Sequence, residues 1–299
     1  MFGTGRGVGV TQALHGAADR PVLVLFAVTT QLGDVWFLFL LGGALYVAGD
    51  QFPRWGIDRR RGLFVLGLVL TYVGLIGALK NVFLLPRPPG AGEPPGLGWL
   101  PSALRPLLAG AATADGPGFP SGHALGTTMF WGGLALVLDR WTARSRLAVA
   151  AAVVVLVSLS RLVLGVHYLV DVVVGAALGL AVLGGLYRLT DRGTKPARAL
   201  QVAVAVGAAG LLAGVTSDSV SAVGGAVGGW FVWRGIAAAT PAHPTDAREA
   251  VAGFALFAAA AALFGAVNVL DPSYLLTFLG AAVAVGVVVA APLLGERLL

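Results

Sequence analysis

Residues 147–188 read LAVAAAVVVLVSLSRLVLGVHYLVDVVVGAALGLAVLGGLYR, two long apolar runs that meet at a junction containing Arg161, His167 and Asp171. Each run has about the 20 apolar residues that a helix needs to cross a bilayer. Ionisable side chains inside or beside hydrocarbon are costly, so their presence calls for a functional or pairing reason. The stretch therefore predicts two membrane-spanning helices that meet at a functional junction.

The composition of the whole chain extends this interpretation. Of the 299 residues, 57% are hydrophobic and only 11% are charged, whereas soluble domains carry about a quarter charged residues. The net charge is +6, but Lys and Arg lie mainly in short connections between apolar runs, which indicates topology determination rather than nucleic-acid binding. The chain has no cysteine, which excludes disulfides, thiolate catalysis and cysteine–zinc sites.

Nine apolar runs predict an all-α polytopic bundle with about nine spans. The runs lie near residues 21–48, 62–86, 121–139, 147–165, 168–188, 199–217, 219–238, 250–270 and 274–294. Two small-residue motifs, Gly175-x3-Gly179 and Gly224-x3-Gly228, are typical of helices that pack closely. We expect these motifs to serve packing inside the bundle rather than a dimer interface.

Nine spans also predict the orientation of the chain in the cell membrane, because successive connections alternate between the two sides. One side receives 14 of the 20 Lys and Arg residues, in the connections near 49–61, 140–146, 189–198 and 239–249 and at the C-terminus. The positive-inside rule places that side in the cytoplasm. Residues 1–20 and the charged junction then face outward.

A second block of ionisable residues, Lys80-x6-Arg87-Pro88, lies at the end of the second predicted span. Pro86 and Pro88 predict that the helix does not continue unchanged through Arg87. Arg offers planar, multidentate donation to phosphate oxygens, while Lys acts as a mobile point charge. Taken alone, the block has another explanation. Lys and Arg at a helix end often extend their charged groups to the membrane surface without any functional role.

A third block, Pro120-Ser121-Gly122-His123, opens the third predicted span. Ser121 is a suitable N-cap, and the free N–H groups at a helix start attract anions. Gly122 allows the backbone to come close to an oxyanion, and His123 is placed to donate a proton to a leaving oxygen. A simple capping turn with an interfacial histidine would give the same sequence.

The junction itself contains a histidine–carboxylate pair. His167 and Asp171 are four residues apart, so on a helix they share a face. A carboxylate bonded to one ring nitrogen fixes the tautomer and directs the other nitrogen for attack. Arg161, which follows Ser160, adds a third cation. A buried pair that only stabilises a helix junction is the alternative for these residues.

All three blocks fall at the same predicted membrane face. Residues scattered without a common role would not be expected to share one face. Together they contain three cations, two histidines and one carboxylate. That inventory suits the binding of a phosphate group and nucleophilic attack on it. Asp34, a carboxylate in the first apolar run, is interpreted as a structural hydrogen-bonding or interface residue in preference to a lipid-headgroup contact.

In order and internal spacing, the blocks resemble the three-part signature of the type 2 phosphatidic acid phosphatase superfamily. That superfamily includes vanadium haloperoxidases, bacterial acid phosphatases and glucose-6-phosphatase-like enzymes. Its signature is Lys-x6-Arg-Pro, Pro-Ser-Gly-His and Ser-Arg-x5-His-x3-Asp, and every position is present here. The resemblance covers residues 21–189, a five-span phosphatase core, and leaves the four predicted spans in 199–299 unexplained.

The resemblance implies a role for each signature residue. His167 would be the nucleophile that forms a phosphohistidine, Asp171 would orient it, and His123 would be the general acid for the leaving group. The residues implied in phosphate binding are Lys80, Arg87, Ser121, Gly122 and Arg161, with Pro88, Pro120 and Ser160 in support. No metal or cofactor is expected, because the phosphatases of the family need none.

The substrate that the resemblance implies is a lipid phosphate drawn from the bilayer, either phosphatidic acid-like or a polyprenyl diphosphate. A lipid phosphotransferase and a sugar-phosphate phosphatase of the same superfamily remain alternatives. A lipid transporter or flippase is an alternative from a different functional class. Transporter sites usually lie near the bilayer midplane with access to both sides, whereas these blocks cluster at one face.

Overall fold

The computed structural model describes residues 6, 8–49, 56–94, 101–103, 105–244 and 247–297. Within these residues the chain is helical and has no β-strand, which confirms the predicted all-α bundle. The helices are α1 (Val10–Ala17), α2 (Arg20–Thr29), α3 (Val35–Ala48), α4 (Arg59–Phe83), α5 (Arg105–Ala112), α6 (Gly122–Val137), α7 (Ala143–Val163), α8 (Leu169–Leu189), α9 (Pro196–Ala213), α10 (Ser217–Ile236), α11 (Ala247–Leu270) and α12 (Tyr274–Arg297). A 3₁₀ turn, Thr30–Gly33, separates α2 from α3.

Each of the nine predicted spans contains helix, but fewer than nine helices have the length and composition of a span. Among the described residues six helices qualify, or seven if α2 and α3, which meet at a bend of 47°, form one broken span. Helix α6 has only 16 residues, and α10 is rich in Gly and Ser. Both pack against several other helices, so protein rather than lipid covers much of their surface.

Helix α4 is the centre of the bundle. Its most apolar window is 72% buried, compared with 28–33% for the other qualifying helices. One hydrophobic core joins α4 to α3, α6 and α8, and a second joins it to α3 and to α9–α12. The helices that follow the signature region are therefore packed directly onto the helix that carries Lys80.

The two glycine motifs pack helices inside this bundle, as the sequence predicts. A β-carbon on Gly175 of α8 would lie 2.5 Å from the carbonyl oxygen of Ser121, at the start of α6. A β-carbon on Gly224 of α10 would lie 2.5 Å from the carbonyl oxygen of Phe278 on α12. The first contact matters for the site, because it holds two of the three blocks together.

The basic connections lie together at the end of the bundle opposite the three blocks. The buried Arg59 Nη2 is 2.5 Å from Glu249 Oε1, which joins the start of α4 to that of α11. Arg61 Nη1 is 2.5 Å from Asp139 Oδ2, in the connection between α6 and α7. Charge is therefore divided between the two ends of the bundle in the way the alternation of spans predicts.

Candidate active site

The three blocks meet at one cavity of about 500 Å³ between the ends of the helices. The predicted site residues that line it are Lys80, Arg87, Gly122, His123, Arg161 and His167. These side chains come from α4, α6, α7 and the connections that follow α4 and α7. The residues are separated by up to 87 positions in sequence, so their convergence is a property of the fold.

Arg87 lies outside α4, because that helix ends at Phe83. Its Nε donates to the carbonyl oxygen of Asp115 at 3.1 Å, and its Nη1 donates to that of Val166 at 3.0 Å. The same Nη1 is 3.1 Å from Nε2 of His167. The carbonyls thus fix a planar cation beside one histidine nitrogen, a position from which it can contact a phosphate bound at that nitrogen.

Asp171 faces the other nitrogen of His167. Its Oδ2 is 3.5 Å from His167 Nδ1 and accepts a hydrogen bond of 2.9 Å from the backbone N–H of Tyr168. Asp171 is fully buried, and His167 is 2% exposed. Nδ1 itself makes no hydrogen bond to a described residue, but a nearby carboxylate favours the tautomer with the proton on that atom. Nε2 is then the acceptor nitrogen, and it faces Arg87 Nη1.

Ser121 and His123 begin α6 at the edge of the cavity. Ser121 Oγ caps the helix by accepting from the N–H of Ala124 at 3.4 Å. The N–H of Ser121 donates to the carbonyl oxygen of Asp171 at 2.9 Å, so the second and third signature blocks are joined through the backbone. Nε2 of His123 is buried without a hydrogen bond to any described residue, and it lies 3.8 Å from Asp34 Oδ2.

Arg161 is a buried cation on the last turn of α7, with 2% of its surface exposed. Its Nη1 donates to Oγ1 of Thr30 at 2.7 Å and to the carbonyl oxygen of Ala111 at 3.4 Å. A cation that is removed from water in this way is costly unless an anion approaches it. The position of Arg161 in the cavity wall is therefore suited to an anionic ligand.

The residues predicted to support the site have mainly backbone partners. Ser160 Oγ donates to the carbonyl oxygen of Val157 at 2.6 Å, within α7. The carbonyl oxygen of Pro88 accepts from the N–H of Ala91 at 3.3 Å. Pro120, joined to Phe119 by a cis peptide bond, leads directly into the cap of α6. These contacts shape the loops and helix ends that carry the other residues.

Two residues outside the signature, Arg6 and Asp34, lie beside the signature residues Asp171 and His123 respectively. Arg6 Nη1 is 3.0 Å from Asp171 Oδ1, and its guanidinium lies 4.9 Å from the ring centroid of Tyr168. The sequence offers no signal for this contact, because Arg6 stands in a Gly-rich segment. Asp34 does have a signal, a lone carboxylate in an apolar run, and it both caps α3 through the N–H of Trp36 and faces His123.

Burial and neighbouring charges shift the pKa values of Arg87 and His167, the two site residues that lie in connections between helices. Burial lowers the pKa of Arg87, and the nearby Asp171 and Asp115 carboxylates oppose that shift. Burial lowers the pKa of His167 well below its usual value of 6.5, and Arg87 is the next cause, ahead of Arg161. His167 is therefore neutral, the form that can attack phosphorus, down to a lower pH than an exposed histidine.

Removal of the Arg87 charge is expected to move the acid limb of the pH–activity profile to higher pH. The reason is that loss of a neighbouring cation raises the pKa of His167, so the histidine becomes protonated and inactive earlier as the pH falls. The measurement is kcat/KM against pH for Arg87→Gln, with the charge-retaining Arg87→Lys as control. An acid limb at the same pH in wild type and Arg87→Gln would contradict this assignment.

Comparison with known families identifies the region that holds these residues. Within the described residues no group of three or more His, Asp or Glu side chains is arranged to hold a metal ion. Residues 62–195, which contain all three blocks, match the family model described as the PAP2 superfamily, in agreement with the predicted resemblance. Comparison with curated proteins and with solved structures gives no match. The match covers less than half of the chain, and together with the apolar helices it supports a membrane phosphatase similar to those of the PAP2 superfamily.

Proposed function

We propose that the protein is a lipid-phosphate phosphatase that works through a phosphohistidine on His167. The observation that carries the proposal is the environment of this histidine. Asp171 lies at its Nδ1 and Arg87 Nη1 lies 3.1 Å from its Nε2. The Nε2 side faces a cavity that is also lined by Lys80 and Arg161. A nucleophile oriented by a carboxylate and surrounded by fixed cations is the arrangement that phosphoryl transfer requires.

In the first step, Nε2 of His167 attacks the phosphorus atom and the bond from phosphorus to the leaving oxygen breaks. His123 donates its Nε2 proton to that oxygen, which leaves as an alcohol or, from a diphosphate, as a monophosphate. Asp171 stabilises the positive charge that develops on the His167 ring. Fixed cations aimed at the transferring group stabilise the transition state without reorganisation.

In the second step, water attacks the phosphorus of the phosphohistidine and the phosphorus–nitrogen bond breaks. His123, now neutral, accepts a proton from the water and so returns to its starting state. Inorganic phosphate leaves, and the His167 Nε2 lone pair is restored. The two steps balance with water as the only other reactant.

A lipid substrate is favoured by the position of the cavity. Its walls come from long apolar helices, including Tyr72 and Ile76 on α4 and Phe39 on α3. Since the phosphate-binding residues lie at the ends of these helices, a phosphate held there is at headgroup depth while its carrier remains in the bilayer. Phosphatidic acid-like lipids and polyprenyl diphosphates both fit this description, and a sugar phosphate or transfer to another acceptor are the alternatives.

Phosphate release from a substrate panel tests the proposed function. The purified protein is assayed in detergent, with EDTA present, against phosphatidic acid, a polyprenyl diphosphate and glucose 6-phosphate. We expect release from a lipid substrate and little from the sugar phosphate. Efficient release from glucose 6-phosphate alone would favour the sugar-phosphate alternative. Loss of lipid phosphate without inorganic phosphate release would indicate transfer to another acceptor.

We further propose that the site opens to the outer face of the cell membrane, with the C-terminus in the cytoplasm. The support is the clustering of basic connections at the opposite end of the bundle. Since the chain contains no cysteine, Ser102→Cys, at an exposed position between α4 and α6, is expected to react with an impermeant thiol reagent in intact cells. Ser145→Cys, in the first turn of α7 beside a basic connection, is the matched control and should react only after lysis. The reverse pattern would invert the orientation.

A further inference from the structure

A second cavity, of about 530 Å³, adjoins the catalytic one and has mostly apolar walls. It lies between α3, α11 and α12, and Asp34 is its one ionisable residue among those described. Representative wall residues are Phe39 of α3, Ala261 of α11 and Ala284 of α12. We call this cavity the apolar chamber. Two of its three walls come from helices that lie beyond the region matched by the family model.

The apolar chamber shares a wall with the catalytic cavity. Asp34, Val35, Phe39, Phe264 and Val285 line both of them. Asp34 marks the boundary, since its carboxylate caps α3 on one side and lies 3.8 Å from His123 Nε2 on the other. A molecule whose phosphate occupies the catalytic cavity therefore has the chamber directly beside it.

The chamber has an inner end lined by Phe257 and an outer side lined by Trp36 and Leu40. At the inner end the Phe257 ring packs against Gly43, where a β-carbon would overlap the ring. The lining residues of the α3 wall run over six positions from Asp34 to Leu40, which is about 9 Å at the helical rise. On the outer side, Trp36 and Leu40 line the chamber and are also 54% and 48% exposed on the bundle surface. Hydrocarbon can enter sideways from the bilayer.

We propose that the apolar chamber holds one hydrocarbon chain of the phosphate substrate, which gives α11 and α12 a role in substrate selection. The inference rests on the proposed lipid-phosphate function. Lipid tails are as apolar as leucine side chains, so the chamber gains little from hydrophobicity alone when a chain leaves the bilayer. The chamber instead selects substrates by shape, because its depth and width decide which hydrocarbon chain fits when the phosphate is at His167.

Narrowing the chamber tests this proposal. Ala261→Trp places a large ring at the chamber wall. Ala262→Trp changes the next residue of α11, which is also exposed but lines neither cavity, and is the matched control. The assay compares kcat/KM for butyl phosphate and hexadecyl phosphate in detergent. A short chain does not reach the inner end of the chamber, whereas a long chain must pass the new ring.

We expect Ala261→Trp to lower the hexadecyl-to-butyl ratio of kcat/KM by roughly tenfold or more, the scale on which apolar pockets discriminate chains. Ala262→Trp should leave the ratio at its wild-type value. Ala284→Leu, which narrows the chamber from α12, should lower the ratio as well and guards against a folding effect specific to α11. An unchanged ratio in both chamber variants would overturn the proposal. Absence of release from every phosphate by wild type would instead refute the phosphatase function.

Discussion

His167→Ala is expected to reduce phosphate release on the order of 10⁴- to 10⁶-fold, the range seen when catalytic-triad residues are removed from a hydrolase. The imidazole supplies the atom that bonds to phosphorus. Among the described side chains, only His167 places a nitrogen nucleophile 3.1 Å from Arg87 Nη1. The remaining cations would still bind the substrate, so the loss should appear in kcat more than in KM. The measurement is phosphate release from the best lipid substrate of the panel.

His243→Ala provides the control for this variant. His243 lies in the connection before α11, where the neighbouring Ala242 carbonyl accepts from the N–H of Arg59 at the opposite end of the bundle. Its replacement should leave kcat and KM at wild-type values. If His167→Ala retained more than a few per cent of wild-type activity while folded, a nucleophile other than His167 would be required.

His123→Ala is expected to reduce turnover of an alkyl phosphate by roughly 10²- to 10⁴-fold, the usual contribution of a positioned general acid. The effect should depend on the leaving group. An alkoxide needs a proton as it departs, whereas p-nitrophenolate is stable without one. With p-nitrophenyl phosphate, the first turnover of His123→Ala should therefore remain much faster than with hexadecyl phosphate, and a burst of p-nitrophenolate should precede slow hydrolysis of the phosphoenzyme.

The leaving-group comparison separates two roles of His123. If His123 only helped to bind the phosphate, both substrates would lose activity in equal proportion and no burst would occur. Asp34→Asn offers a related comparison, because its carboxylate lies at the edge of the catalytic cavity and faces His123 Nε2 at 3.8 Å. A positioning role for Asp34 predicts a smaller loss than His123→Ala with the same leaving-group dependence.

Much of the fold follows from hydrophobic length and helix-ending signals. Runs of about 20 apolar residues give the helices, and Pro86 and Pro88 correctly predict that α4 does not continue through Arg87. Length and composition alone do not fix the number of spans, because α6 and α10 are packed within the bundle. A helix that protein covers does not need the length or hydropathy of one that faces lipid, so composition does not distinguish it from a span.

Six of the residues named by the signature line one cavity, but their partners do not follow from sequence. Arg6 and Asp171 are separated by 165 residues, and Thr30 and Arg161 by 131. Contacts over such separations depend on how the helices pack, which periodicity does not encode. The apolar chamber is hidden for the same reason, because its walls come from α3, α11 and α12 and each wall alone is an ordinary apolar helix face.

The proposed mechanism requires a covalent phosphohistidine on His167, and trapping this intermediate tests the mechanism directly. The protein is mixed with a radiolabelled lipid phosphate, quenched in alkali, which preserves phosphohistidine, and digested for mass spectrometry. We expect label on the peptide that contains His167 in wild type and in His123→Ala, and no label in His167→Ala. Label on another residue, or label that persists in His167→Ala, would contradict it.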